Sequence, residues 1–173
     1  MNKIAIIGPE STGKSTISQG LAHHFNEPFV PEYGRKYLEE NGPDYSRADL
    51  LAISKGMVIW EDKMMSIAKN LLFCDTDLIM MKVWYEVKYG ECHPWVLQQI
   101  ETNPYQFYLL CKPDLPWEAD PLRENPTIRE LLFNRYQEEL EAYGFDYSII
   151  SGKEKRLQNA IEEVEIIENK KRD

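Results

Sequence analysis

The stretch Gly8-Pro9-Glu10-Ser11-Thr12-Gly13-Lys14-Ser15 fits the pattern G-x-x-x-x-G-K-[ST] without a gap. Its two glycines allow backbone angles and close approach that other residues resist, so successive N–H groups can turn inward around a phosphate. Lys14 brings a point charge suited to β- and γ-phosphates, and Ser15 a hydroxyl suited to Mg²⁺. Glu10, Ser11, Thr12 and Thr16 complete the nucleotide-facing set. The context supports the pattern: the apolar strand candidate Ile4-Ala5-Ile6-Ile7 precedes it, and a helical run from Lys14 to Phe25 follows with its partial positive end at the loop. The chemistry expected here is binding of ATP with Mg²⁺. The dinucleotide spacing G-x-G-x-x-G is absent.

Other residues with chemical potential fall where apolar runs end. Leu71-Leu72-Phe73-Cys74 runs into Asp75-Thr76-Asp77, and Asp75 is the leading catalytic carboxylate. It would hold Mg²⁺ or take a proton from an attacking hydroxyl, two roles the spacing does not separate. Asp77 directly precedes a helical run, so it serves either an acceptor or the free N–H groups of that helix. Glu32-Tyr33-Gly34-Arg35 follows the short run Pro28-Phe29-Val30. There Glu32 would bind acceptor hydroxyls, and Arg35 a phosphate or Glu32 itself. Arg123 and Arg129 flank a proline-rich stretch, where a closing lid would bring a guanidinium to the transferred phosphoryl group. Ser151-Gly152-Lys153, after Tyr147-Ser148-Ile149-Ile150, would pass under the adenine. His23 and His24 lie on the first helix without partners at metal spacing, while His93-Pro94 falls on the presumed acceptor side.

These residues need a scaffold that gathers strand ends. Helices are expected over 32–40, from about 47 to 70, over 78–89 and 95–102, from 127 to about 143, and last around Leu157, Ala160, Ile161, Val164 and Ile167. Phe107-Tyr108-Leu109-Leu110-Cys111 supplies a fourth strand, and residues 112–126 carry four prolines and read as a surface excursion or lid. Strands that alternate with helices and lack polar alternation predict a five-stranded parallel sheet with helices on both faces, an α/β fold of three layers. In such sheets ligands gather at the carboxyl ends of the strands.

Composition narrows the function classes. With 173 residues and no Gly/Ser/Pro-rich linker, one domain over 1–173 is expected. Asp and Glu number 29 against 20 Lys and Arg, and the formal charge of −9 disfavours nucleic acid as a partner. Cys74, Cys92 and Cys111 are odd in number and lack C-x-x-C spacing, as suits buried thiols in a reducing cytoplasm. Met1 to Lys3 leads straight into the first strand, so no signal peptide is expected, and no run reaches the roughly 18 apolar residues of a spanning helix. A soluble cytoplasmic protein that binds small molecules, with no membrane partner, is the expectation. Oligomeric state is not legible.

Taken in order, the P-loop, Glu32-Tyr33-Gly34-Arg35, Asp75-Thr76-Asp77, His93-Pro94 and Trp117-Glu118-Ala119-Asp120-Pro121-Leu122-Arg123 resemble the ribosylnicotinamide kinase domain of the NadR family, over nearly the whole chain. The resemblance implies a P-loop kinase-like fold and transfer of phosphate from ATP to nicotinamide riboside, giving nicotinamide mononucleotide for NAD salvage. It also implies a lid at 117–123, and no length for the adenylyltransferase or DNA-binding parts of complete NadR proteins. Some members carry an aromatic residue before E-Y-G-R that stacks on the nicotinamide ring, where this chain has Pro31. Either Trp60, Tyr33 or another aromatic takes that place, or the acceptor is a different nucleoside. The alternatives are another nucleoside or nucleoside monophosphate kinase, or a nucleotide-dependent regulatory switch.

Overall fold

A computed structural model describes residues 2–170. Five parallel strands form one sheet in the order β2-β3-β1-β4-β5: β1 Asn2–Ile7, β2 Phe29–Val30, β3 Leu71–Asp75, β4 Phe107–Cys111 and β5 Tyr147–Ile150. The helices are α1 Lys14–Phe25, α2 Tyr33–Asn41, α3 Arg47–Met65, α4 Leu78–Tyr89, α5 Pro94–Thr102, α6 Arg129–Tyr143 and α7 Arg156–Lys170.

The two-residue period of a strand accounts for the layering. Ile4, Ile6, Leu71, Phe73, Leu109 and Cys111 point to one face, where they meet Ile17 and Leu21 of α1 and Ala160 and Val164 of α7. Ala5, Ile7, Leu72, Cys74, Tyr108 and Leu110 point to the other and pack on α3 through α6. Both faces are apolar because both are covered, which is why the strands show no polar alternation.

Helix boundaries follow local capping. α3 opens with a reciprocal capping box, Ser46 accepting from the Asp49 N–H and Asp49 from the Ser46 N–H. The expected run to residue 70 stops at Met65, because the Glu27 carboxylate takes the N–H groups of Lys69 (2.9 Å) and Asn70 (2.8 Å) and draws the chain into β3 instead. α4 is capped by Asp77 and α5 by His93, each ahead of its first helical residue. Asp75 belongs to β3 itself, paired with Ile6, one residue later than the apolar run suggested.

No helix among the described residues is long and apolar enough to cross a membrane. The three cysteines are free, with Cys74 and Cys111 buried in β3 and β4.

Candidate active site

The loop from Gly8 to Gly13 joins β1 to α1 and carries the strain expected of a phosphate cradle. Gly8 has φ +144°, Ser11 +56° and Gly13 +79°. A Cβ on Gly8 would lie 2.6 Å from the Cys111 carbonyl, so the close pass of the loop over the end of β4 needs glycine. Thr12 Oγ1 donates to the Pro9 carbonyl at 2.8 Å, and Lys14 Nζ bridges back to the same oxygen at 3.1 Å. That folds the loop around the N-terminus of α1 and holds the ammonium at its mouth.

Behind the loop, Ser15 Oγ donates to Asp75 Oδ2 at 2.5 Å. Asp75 is 3% exposed, and its Oδ1 is buried without a hydrogen-bond partner. Burial first, then the nearby charge of Glu32, push this carboxyl up to about 6, against the pull of Lys14. A buried carboxylate oxygen left without a donor, beside a serine hydroxyl, offers hard oxygen ligands, and this pair fits Mg²⁺. Thr76, next in the chain, has φ +77°, a strained conformation for a β-branched residue. It is held between the Ile6 carbonyl, which accepts its N–H at 3.0 Å, and the cap of α4.

In front of the loop opens a cavity of about 520 Å³, within the range of small-molecule sites. Glu10 to Thr16 line one end. Glu32 and Arg35 reach it from the start of α2, and Thr76 from the end of β3. Residues of the segment 115–125 border its other side. Arg123 NH1 donates to Ser11 Oγ at 3.0 Å and to the Glu118 carbonyl at 2.5 Å. Glu10 takes the backbone N–H groups of Glu124 (3.0 Å) and Asn125 (2.9 Å), one on each carboxylate oxygen. Arg35 pairs with Asp120 at 2.9 Å, joining α2 to the same segment, and Arg129 donates to the Leu115 carbonyl through both terminal nitrogens at 3.0 Å.

Four expected acceptor residues stand elsewhere. Asp77 is 1% exposed and spends its two oxygens on the N–H groups of Ile79 and Met80, as a helix cap. Burial pushes that carboxyl up to about 7. His93 caps α5 through Nδ1, which accepts the Trp95 N–H at 3.1 Å. Tyr33 turns onto α3, seated so closely over Gly56 that a Cβ there would lie 2.1 Å from the ring, and Trp60 packs edge-on against it at 4.8 Å. Neither aromatic borders the cavity. Gly152 donates its N–H to Asp114, and Lys153 points to solvent.

The cavity is bordered instead by residues whose helical or loop positions gave no chemical signal: Trp84 and Met80 on α4, Tyr45 before α3, and Tyr136 on α6. A further unanticipated residue is Arg156. It is 4% exposed, ion-paired with Asp114, and donates to the carbonyls of Ile150 (3.1 Å) and Lys112 (3.2 Å), tying together the ends of β4 and β5.

A family profile described as an AAA domain matches residues 3–156. The trifunctional NAD biosynthesis/regulator protein NadR of Salmonella typhimurium strain LT2 is 33% identical over 126 residues, covering 69% of this chain and 30% of that protein. NadR of Escherichia coli strain K12 gives the same figures. A crystal structure of NadR protein in complex with NAD and AMP-PNP superposes with a TM-score of 0.80 at 20% identity, covering 94% of this chain and 48% of that one. A crystal structure of NadR in complex with NR gives 0.79 at 20% identity, covering 93% and 49%. Deoxyadenosine kinase from M. mycoides with its products follows at 0.60 and 15% identity, covering 97% and 99%. The chain thus spans under a third of the curated relatives it matches and about half of the solved NadR chains. The structural likenesses establish a P-loop kinase fold. With its profile matched from residue 3 to 156 of 173, the chain belongs to the AAA-domain family.

Proposed function

We propose that this protein phosphorylates nicotinamide riboside with ATP, giving nicotinamide mononucleotide and ADP in NAD salvage. The observation that carries the reading is one cavity with a phosphate cradle at one end, the Glu32 carboxylate at its side and a lid arginine above. The two NadR relatives named for NAD biosynthesis, and the NadR structures holding NR or AMP-PNP, support the substrate pair. Three free thiols suit the cytoplasm as its compartment.

The primary hydroxyl of the acceptor attacks the γ-phosphorus in line. A new O–P bond forms as the bond to the bridging oxygen of ADP breaks. Glu32 borders the cavity and takes the hydroxyl proton; Asp75, behind Ser15, keeps the metal side. Mg²⁺ bound by Ser15 and Asp75 would neutralise charge on the phosphate oxygens. Lys14 and the α1 amides hold the γ-phosphoryl group, and Arg123 approaches it from the lid. The lid excludes water that would otherwise compete for the phosphoryl group. Carboxylates at the acceptor end also favour a cationic pyridinium nucleoside over a neutral one.

The test is ADP release from Mg·ATP with nicotinamide riboside, with a panel of other nucleosides and monophosphates, and with no acceptor, Lys14→Ala being the blank. Strong stimulation by nicotinamide riboside is expected. Stimulation by another acceptor alone would keep the chemistry and replace the substrate, and none by any acceptor would leave a nucleotide switch.

A further inference from the structure

The acceptor wall and the lid are joined by a chain of three side chains. Trp84 on α4 donates its indole N–H to Tyr45 Oη at 2.7 Å, and Tyr45 donates onward to Glu124 Oε2 at 2.7 Å. All three border the cavity. The rings of Tyr45 and Trp84 meet edge-on at 5.0 Å.

The two ends of this chain differ in firmness. Tyr45 is fixed to α4 from several sides: the Tyr89 hydroxyl donates to its carbonyl at 3.3 Å, Tyr85 holds the nearby Arg47 carbonyl at 2.9 Å, and the Lys88 ammonium lies 3.3 Å from its ring centroid. Burial, then the bond to Glu124, push its phenol well above the usual range, so it stays a donor at any working pH. Glu124 is exposed and sits on the lid. Its carboxylate is held by Tyr45 and its backbone N–H by Glu10 of the P-loop. The residue before it is Arg123, whose guanidinium lies on Ser11.

We propose that Tyr45 is a positioning residue that couples acceptor binding to the phosphate end, by holding Glu124 and with it the Glu10 grip and Arg123. The proposal rests on the kinase reading above. An acceptor seated against Trp84 displaces water from the chain and strengthens both of its hydrogen bonds. Nucleotide that draws the lid onto Glu10 presents Glu124 to Tyr45 in return, because coupling between two sites is reciprocal.

The first arm of the test uses ligand-free protein. Backbone hydrogen exchange at Glu124 and Asn125 is compared in the wild type, Tyr45→Phe, Glu124→Ala and the double variant. Phenylalanine keeps the ring packing, and Glu124 is exposed, so both variants fold. Each single change speeds exchange at these amides several-fold, the double adds nothing further, and Ile17 and Ser18 in α1 stay unchanged. Wild-type exchange in Tyr45→Phe, or additive effects in the double, overturns the chain. The second arm measures AMP-PNP affinity with and without nicotinamide riboside. The riboside tightens wild-type binding by roughly 5-fold or more, whereas Tyr45→Phe, whatever its affinity for AMP-PNP alone, loses most of that tightening. Equal tightening in both overturns the coupling. If the riboside leaves the wild type unaffected, the acceptor assignment fails, while the first arm, which contains no acceptor, still decides the chain.

Discussion

At the level of single residues the site divides its carboxylates by burial. Asp75 is enclosed and spends one oxygen on Ser15, while Glu32 faces the cavity beside it. Glu32→Gln therefore lowers kcat by about 10²–10⁴-fold with KM for ATP little changed. Asp75→Asn instead raises the Mg²⁺ concentration needed for half-maximal turnover; steady-state kinetics across a Mg²⁺ titration separates the two. The P-loop residues were legible because their spacing is local and the chemistry dictates it. The aromatic wall was not. Tyr33 stands inside the expected motif, yet Trp84 and Tyr45 reach the cavity, and only the packing of α2 on α3 decides which rings turn inward. Asp77 shows the same limit, since an Asp before a helix reads alike as cap or ligand until its two oxygens are seen on Ile79 and Met80.

At the level of elements, periodicity and punctuation predicted every strand and helix, and the errors lie at ends set by distant groups. The stop of α3 at Met65 depends on Glu27, about forty residues earlier, which no local pattern reveals. The pairing of α2 with α3 turns on Gly56, under the Tyr33 ring. Gly56→Ala forces that ring off its seat and costs about 1–3 kcal/mol despite its better helix propensity, read from the urea midpoint. The cap of α3 gives a pH-dependent signature. Hydrogen bonds from Ser46, then Tyr37, hold the Asp49 carboxyl down at about 2, below its ordinary 3.8. A depressed carboxyl contributes stability that is full above its unfolded value and lost as pH falls through the folded one. Asp49→Asn is thus less stable than the wild type at neutral pH, and the gap between their urea midpoints closes as pH falls from about 4 to about 2.

At the level of the whole molecule, the sheet order puts β1 at the centre and leads its carboxyl end into the phosphate loop, so ligand and core share one element. Binding energy is then folding energy. Mg·AMP-PNP at 100 times its Kd stabilises the protein by about 2.7 kcal/mol, and thermal melting detects the shift; Lys14→Ala shows little of it. The central place of β1 also bears on synthesis. Asn2 pairs with Leu71 on one side and Ile4 with Phe107 on the other. A chain leaving the ribosome therefore carries its first strand unpaired until β3 has emerged, and with one open edge until β4 follows. Such long-range parallel pairing is slow and exposes apolar edges meanwhile. The nucleotide cradle, made before the strands that flank it, is thus among the last parts to take shape, and a nascent chain halted before β4 would present Ile4, Ile6 and Ile7 to whatever holds unfinished proteins.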